Sequence, residues 1–412
     1  MTAIANLPDL RPSLLLDFAN SGRVDPRIQC TRASAATCFG PDGKLRTLAA
    51  NVPRIDYDPA TGKCLGLLVE EPRANLLTYS NNFENSAWLK NGTTFTKDLA
   101  IAPDGTMTAG KLVETAENRS HVIYANLVVA NGPATLSFFV KEAGRSKVRL
   151  NSYEASIPSN PVSATFDLVA KTASSFGGLT TSASIKDVGG GWLRCQVSGL
   201  SGGTASTWTL TILGPGDATT YAGDGVSGVF MWGAQVEVGS FPTSHIPTAG
   251  SAVTRAADAP YVTPIASPWF SASAGTLTVS YDYGAPEVIN MVALGLDGGS
   301  SSNAISLATT SGNTDRFIVT SNGAGAFNSG FNPFTPGVRK TTGLTWGNRR
   351  ISQSANGGAV SSVTDKDLPV DLNRITLGHS GYFSQSRSNG HIAKLAYYPV
   401  PVTDSQLQRL TA

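Results

Sequence analysis

A chain of 412 residues is long enough for two or three domains, each with its own core. Only 15% of its side chains are charged and glycine numbers 43, which suits many short strands joined by tight turns better than helices. With 31 basic and 29 acidic side chains the formal net charge is +2, so no global field draws the chain to nucleic acid or to an anionic membrane.

Cys30, Cys38, Cys64 and Cys195 follow neither C-x-x-C spacing nor a dense disulfide framework. Free, buried thiols are expected, with a Cys30–Cys38 bridge across a hairpin as the alternative. The opening MTAIANLPDLRPSLLLDF lacks a basic n-region followed by a long apolar run, so no signal peptide is expected, and no stretch approaches membrane-spanning length. The expectation is a chain made in the cytoplasm, without membrane insertion.

In chain order, residues 14–18 form an apolar run. Residues 37–48 place Pro41, Asp42 and Gly43 between two β-prone segments, and residues 54–69 place Asp58, Pro59, Thr61 and Gly62 likewise, which predicts two hairpins. From about residue 73 to 250 the pattern is a sandwich: Leu136, Phe138 and Val140 alternate on one face, as do Phe166 with Leu168 and Trp208 with Leu210 and Ile212. Phe230, Trp232, Ala234 and Val236 make a further apolar stripe of period two. Gly239, Pro242, Pro247 and Gly250 then break the pattern and mark a boundary. Residues 258–412 form another unit, with Leu277, Val279, Tyr281 and Tyr283 alternating and strands expected at 317–320, 342–346, 374–377 and 391–398. Thr403 with Gln406 three residues on has capping-box spacing and predicts a short closing helix. The fold class is mostly β: a small module at 1–72, a jelly roll at 73–250, a second jelly roll at 258–412 and one C-terminal helix.

Catalytic patterns are sparse. A glycosidase needs two carboxylates at a set separation, and Asp365 with Asp367 reads as a solvated loop near Pro369, while Glu287 stands alone. His121, His245, His379 and His391 lack metal-ligand spacing, and no G-x-S-x-G, phosphate loop or dinucleotide fingerprint occurs. No cofactor or metal is expected. Sugar binding needs only an aromatic platform and a few polar groups. Two stretches offer this: 321–336 with Phe327, Phe331 and Phe334, and 378–390 with Tyr382, Phe383, Arg387 and Asn389. The competing reading has these aromatics covering loop bases or a subunit contact. Trp88 and Trp192 read as core, and Lys141, Arg145, Lys147 and Arg149 as a solvated hairpin.

The phrases DPRI-x-C-TRAS, AANVPRIDYDP, GLLVEEPRANLL and WGAQVEVGSFPTSHIPTAGSAVTRAAD resemble segments of phage and prophage virion appendage proteins of the tail-fibre, head-fibre or baseplate type. Residues 75–90 and 191–199 are similar to strands of the jelly roll of such proteins, which is carbohydrate-binding-like, and the C-terminal part resembles concanavalin-like or laminin-G-like domains. The resemblance implies a non-enzymatic virion protein. Residues 25–69 would dock to other virion structural proteins, the distal domain would contact host-surface polysaccharide, and the assembly would be a homo-oligomer, a trimer by resemblance. A purely structural baseplate or head decoration protein and a polysaccharide depolymerase stand as alternatives, with a secreted lectin more distant.

Overall fold

The computed structural model describes residues 10–154, 162–262, 269–271, 273–284, 291–310, 314–333, 335–383 and 386–412. Alternating apolar and polar residues, interrupted by Gly, Pro, Asn and Asp turns, produce two antiparallel β-sandwiches and one short C-terminal α-helix. Among the described residues no helix is long and apolar enough to cross a membrane.

The central sandwich packs two sheets face to face. One runs Thr180–Asp187, Leu193–Ser201, Gly132–Ala143, Gly228–Val238, Ala109–Glu114 and Thr93–Ala100. The other runs Thr172–Phe176, Val162–Asp167, Lys147–Glu154, Ala205–Ile212, His121–Val128 and Leu89–Asn91. Leu136, Phe138, Leu150, Phe166, Trp208 and Leu210 fill the space between them, as the period-two stripes require. Trp88 is also in this core, its Nε1 donating to the Tyr79 carbonyl at 2.8 Å.

The stripe through Phe230, Trp232, Ala234 and Val236 is split rather than continuous. Gly233 takes φ +63° and the register with Gly132–Ala143 slips there, a β-bulge. One extra residue inverts the phase, so Ala234 and Val236 join the main core with Val229 and Met231, while Trp232 faces the opposite side with Phe139 and Trp192.

The second sandwich is assembled from both ends of the chain. One sheet runs Ser361–Val363, Arg350–Ala355, Lys340–Gly347, Gly275–Tyr283, Gly390–Tyr398, Cys64–Val69 and Arg54–Tyr57. Leu14–Asp17 pairs along Gly390–Tyr398 beside Cys64–Val69. The facing sheet runs Ile28–Thr31, Ala259–Val262, Arg374–Leu377, Val292–Asp297, Ala304–Thr310, Thr314–Ser321 and Ala324–Pro333. The expected separate module at 1–72 is therefore corrected. Its described strands complete the sandwich of the C-terminal residues, and Leu14, Leu16, Phe18, Leu67 and Val69 share that core. Periodicity identifies a strand's buried face but not its partner, and here Leu14 pairs with Tyr397 at the far end of the chain.

The central sandwich is thus an insertion. The chain leaves through Arg73–Asn75 and returns through Val253–Arg255, and these two strands pair with each other as a neck. Beside the neck lies a buried ionic knot. Arg32 Nη1 reaches Asp258 Oδ1 at 2.9 Å, Arg54 Nη2 contacts Glu70 Oε2 at 2.8 Å and also Asp258, and Arg255 Nη2 stands 3.5 Å from Glu70 Oε2. Ser244 donates its N–H and hydroxyl to Glu70, and the Glu70 N–H donates to Asp258. The TRAS, VPRID, LLVEEPR and TRAAD phrases thus converge on one place. Arg32, Arg54, Glu70, Arg255 and Asp258 are buried there, so these side chains hold the fold together and are not surface groups for docking.

The four cysteines are unpaired. The closing helix, Asp404–Thr411, carries the anticipated capping box: Thr403 Oγ1 accepts from the Gln406 N–H at 3.3 Å and Gln406 Oε1 from the Thr403 N–H at 2.9 Å.

Candidate glycan-binding surfaces

The two aromatic stretches chosen from sequence behave differently from expectation. Residues 324–333 form an edge strand, not a loop. Asn322 and Gly323 both have positive φ, 50° and 81°, the conformation of a two-residue hairpin turn, and the chain folds back along Thr314–Ser321. Phe327 pairs opposite Val319 and is buried in the core at 4% exposure, so it offers no platform. Phe331 is half-buried with its ring 5.9 Å from that of Phe317, and Phe334 lies outside the described residues.

In 378–390, Tyr382 is exposed and stands edge-on to Phe383 at 4.7 Å. Arg387 Nε donates to the Asp258 carbonyl at 2.6 Å. Asn389 is buried, with Oδ1 accepting from the Glu71 N–H and Nδ2 donating to Glu71 Oε2. Arg387 and Asn389 therefore tie this loop to the neck through bonds to Asp258 and Glu71. The two stretches are not brought together either: three strands separate Arg374–Leu377 from Ala324–Pro333, a gap of about 19 Å at the usual strand spacing.

A different surface combines the features a sugar site needs. On the outer face of the central sandwich, Val122, Thr211 and Arg149 align in one row, Tyr124, Thr209 and Asn151 in the next, and Asn126, Thr207 and Tyr153 in a third. These are the residues between the inward-facing Ile123, Trp208, Leu210 and Leu150, so the same alternation that builds the core builds this surface. All of them except Asn126 line a shallow groove of about 420 Å³. Asn151 Nδ2 donates to the Tyr153 hydroxyl at 2.8 Å and Oδ1 accepts from Ser163 Oγ at 2.8 Å, while Thr207 Oγ1 donates to Asn126 Oδ1 at 2.8 Å. The floor is incompletely satisfied. Thr209 Oγ1 and Arg149 Nε are buried without a hydrogen-bond partner among the described residues, and the Arg149 guanidinium lies 4.5 Å over the Phe176 ring. Arg149 also borders an adjoining hollow of about 300 Å³ with Lys147, Asp167 and Asp217.

The basic cluster at 141–149, of which only Arg149 lines the groove, is only partly a solvated hairpin. Arg145 forms a charge-assisted pair with the buried Glu114 at 2.5 Å, Lys147 contacts Asp217 at 2.8 Å, and Lys141 Nζ donates to the Gly190 carbonyl at 2.8 Å. Arg149 was available from sequence as the member in phase with Tyr153, and the threonines at 207, 209 and 211 carried the signal of a hydroxyl-rich outer face.

The sandwiches also enclose a cleft of about 420 Å³ at their junction. On the wall formed by the second sandwich, His391 sits between two carboxylates, Nδ1 to Asp282 at 2.8 Å and Nε2 to Asp56 at 3.1 Å. Burial alone would lower this imidazole, but the carboxylates of Asp282 and Asp56 raise it to about 9, so it is held as a cation. His245 lies on the crossing segment with its ring 4.8 Å from that of Trp232. It is 2% exposed, and burial with Arg194 nearby pushes it down to about 3.

No carboxylate pair is placed for glycosidic chemistry by the sequence candidates. Asp365 and Asp367 are exposed, Asp367 pairs with Arg349 at 2.7 Å, and Glu287 lies outside the described residues. Among the described residues no group of three or more His, Cys, Asp or Glu side chains could hold a metal ion.

No family model matches the sequence, and no curated protein matches it. Among solved structures the chain is similar to the carbohydrate-binding module CBM40 of a Ruminococcus gnavus IT-sialidase bound to α2,3-sialyllactose, at 16% identity over 34% of this chain and 84% of that one, TM-score 0.30. It is similar to the LG4-5 domains of the mouse laminin α1 chain at 14% identity over 68% and 85%, TM-score 0.22. It is also similar to a Trypanosoma rangeli sialidase in complex with the inhibitor DANA, at 13% identity over 73% and 60%, TM-score 0.29.

Proposed function

We propose that this chain is a non-enzymatic glycan-binding component of a phage virion appendage, and that the outer face of its central sandwich makes the glycan contact. The observation that carries the binding reading is the Tyr124–Thr209–Asn151–Tyr153 groove. It pairs two tyrosine rings, which suit the apolar face of a sugar, with hydroxyl and amide groups suited to its hydroxyls, and one buried floor hydroxyl lacks a partner. A groove this open fits an extended polymer better than an enclosed small molecule. The virion assignment is supported by the four sequence phrases. Other virion proteins are its proposed partners, contacted through surfaces other than the buried knot. Assembly as a trimer would let several weak sites act together.

The test uses the labelled full-length chain on purified bacterial surface polysaccharides and on cells. At least one polysaccharide should be retained, Tyr153→Ala should weaken it about tenfold, and reducing ends should not accumulate. Loss of binding in Tyr382→Ala with Tyr153→Ala unchanged would move the contact to the 378–390 loop. Release of reducing ends would replace the reading with a depolymerase.

A further inference from the structure

The cleft between the sandwiches has a charge arrangement that the fold does not complete. On the strand Thr180–Asp187, Ser182, Ser184 and Lys186 point into it; on Leu193–Ser201, Arg194 and Gln196 do. Register sets Lys186 directly opposite Arg194 and Ser184 opposite Gln196. Two like charges directly opposed across an antiparallel pair repel each other. Among the described residues neither cation forms a salt bridge, and the nearest compensation for Arg194 is the buried Glu237 carboxylate, which acts on it at longer range and is itself bonded to the Thr243 N–H and hydroxyl. Arg194 instead rests 5.4 Å over the Phe139 ring and donates one bond to Ser137 Oγ at 3.1 Å, leaving Nε buried and unpartnered.

The acids on the opposite wall do not neutralise this pair, because each is already engaged. Glu70 accepts from Arg54 and from Ser244, and Asp56 accepts from the Phe39 N–H at 2.8 Å and faces the His391 cation. His245, 2% exposed, borders the same cleft with both ring nitrogens unpartnered among the described residues. A buried donor or acceptor left without a partner is costly, so a ligand group that meets it gains affinity.

We propose that this cleft is a second binding site, distinct from the outer groove, which takes a carboxylate-bearing saccharide unit. Lys186 and Arg194 hold the carboxylate, Arg194 presenting the planar fork that matches it. Ser184 and Gln196, one residue pair further along the wall, meet ring hydroxyls, and His245 offers a ring nitrogen at the base. A volume of about 420 Å³ accommodates one or two sugar rings and lies in the usual range for small-ligand sites, which favour junctions between domains.

The experiment is calorimetric or ligand-observed NMR titration of the full chain with D-glucuronate, D-glucose and inorganic phosphate, on the native protein and on Lys186→Gln, Arg194→Gln and Tyr153→Ala. Glucuronate should bind at least tenfold more tightly than glucose, Lys186→Gln and Arg194→Gln should each weaken it at least fivefold, and Tyr153→Ala should leave it unchanged. Lys186 stands on the sheet's outermost strand, so its variant keeps the test valid if Arg194→Gln fails to fold. Equal binding of glucose and glucuronate, no binding of either, or unaltered affinity in Lys186→Gln overturns the proposal. Phosphate binding as tight as glucuronate overturns its saccharide part. Loss of glucuronate in Tyr153→Ala would place the sugar in the outer groove instead, while polysaccharide binding through that groove can fail without touching this result.

Discussion

Replacing Asp258 with Asn tests the ionic knot, which joins the N-terminal strands, the neck and the C-terminal sandwich. Three buried guanidiniums, Arg32, Arg54 and Arg255, are set against two buried carboxylates, Glu70 and Asp258. Asparagine keeps the volume of Asp258 but removes its charge, so Arg32 loses its only carboxylate among the described residues and Arg54 retains Glu70 alone. Breaking a buried pair by removing one partner costs about 3–5 kcal/mol, because the remaining charge stays desolvated. Against a total of about 5–15 kcal/mol for a typical domain, that is a large fraction. The assay is urea unfolding of the full chain followed by fluorescence and circular dichroism, with Asp367→Asn as the control. The Asp367–Arg349 pair is 77% and 58% exposed, so that substitution should cost less than about 1 kcal/mol. If Asp258→Asn is no more damaging than Asp367→Asn, the knot does not hold the sandwiches as argued.

His391, raised to about 9 from 6.5, contributes stability that is fully present below about pH 6.5 and lost as pH rises through about 9. The shift corresponds to about 3 kcal/mol, and urea midpoints at pH 6 and pH 10 should differ in the native chain but much less in His391→Gln. For Glu70, burial would raise the carboxyl, yet Arg255 and Arg54 with the Ser244 bonds hold it well below the usual carboxylate range. Its contribution is therefore present above about pH 4.5 and lost as pH falls, so an acid titration of Glu70→Gln should show a shallower loss than the native chain. Gly233→Ala should lower the melting temperature, since φ is +63° and an added Cβ would stand 2.6 Å from Phe139 Cδ2. Thr403→Ala should cost about 1 kcal/mol of stability through loss of the helix cap, read by the same urea titration.

Local chemistry was readable from the residues alone. Period-two stripes such as Leu136–Phe138–Val140, the Pro41–Gly43 hairpin turn and the Thr403–Gln406 cap are short-range signals, and each forms as its neighbours dictate. Partners distant in sequence were not readable in this way. Nothing local to Leu14 or Leu67 names Gly390–Tyr398 as the strand they join, which is why a separate N-terminal module was expected. Two local signals in the sequence do carry the observed departures from the expected pattern. Asn322-Gly323 is a hairpin turn and makes the following phenylalanines strand residues, and Gly233 inside an apolar stripe marks a bulge. The outer groove follows from the same register that turns Trp208 and Leu210 inward, because the alternate Thr207, Thr209 and Thr211 then face out; only the strands that pair beside them, which no local signal names, make it a groove.

The most direct test of glycan contact through the central sandwich is a crystal structure of the full chain with an oligosaccharide from a polysaccharide it retains. The account expects sugar rings against Tyr124 and Tyr153, with a ring hydroxyl bonded to Thr209 Oγ1 and the Arg149 guanidinium within hydrogen-bond reach. Sugar bound only at Tyr382 and Phe383, or an empty groove at saturating oligosaccharide, would contradict it.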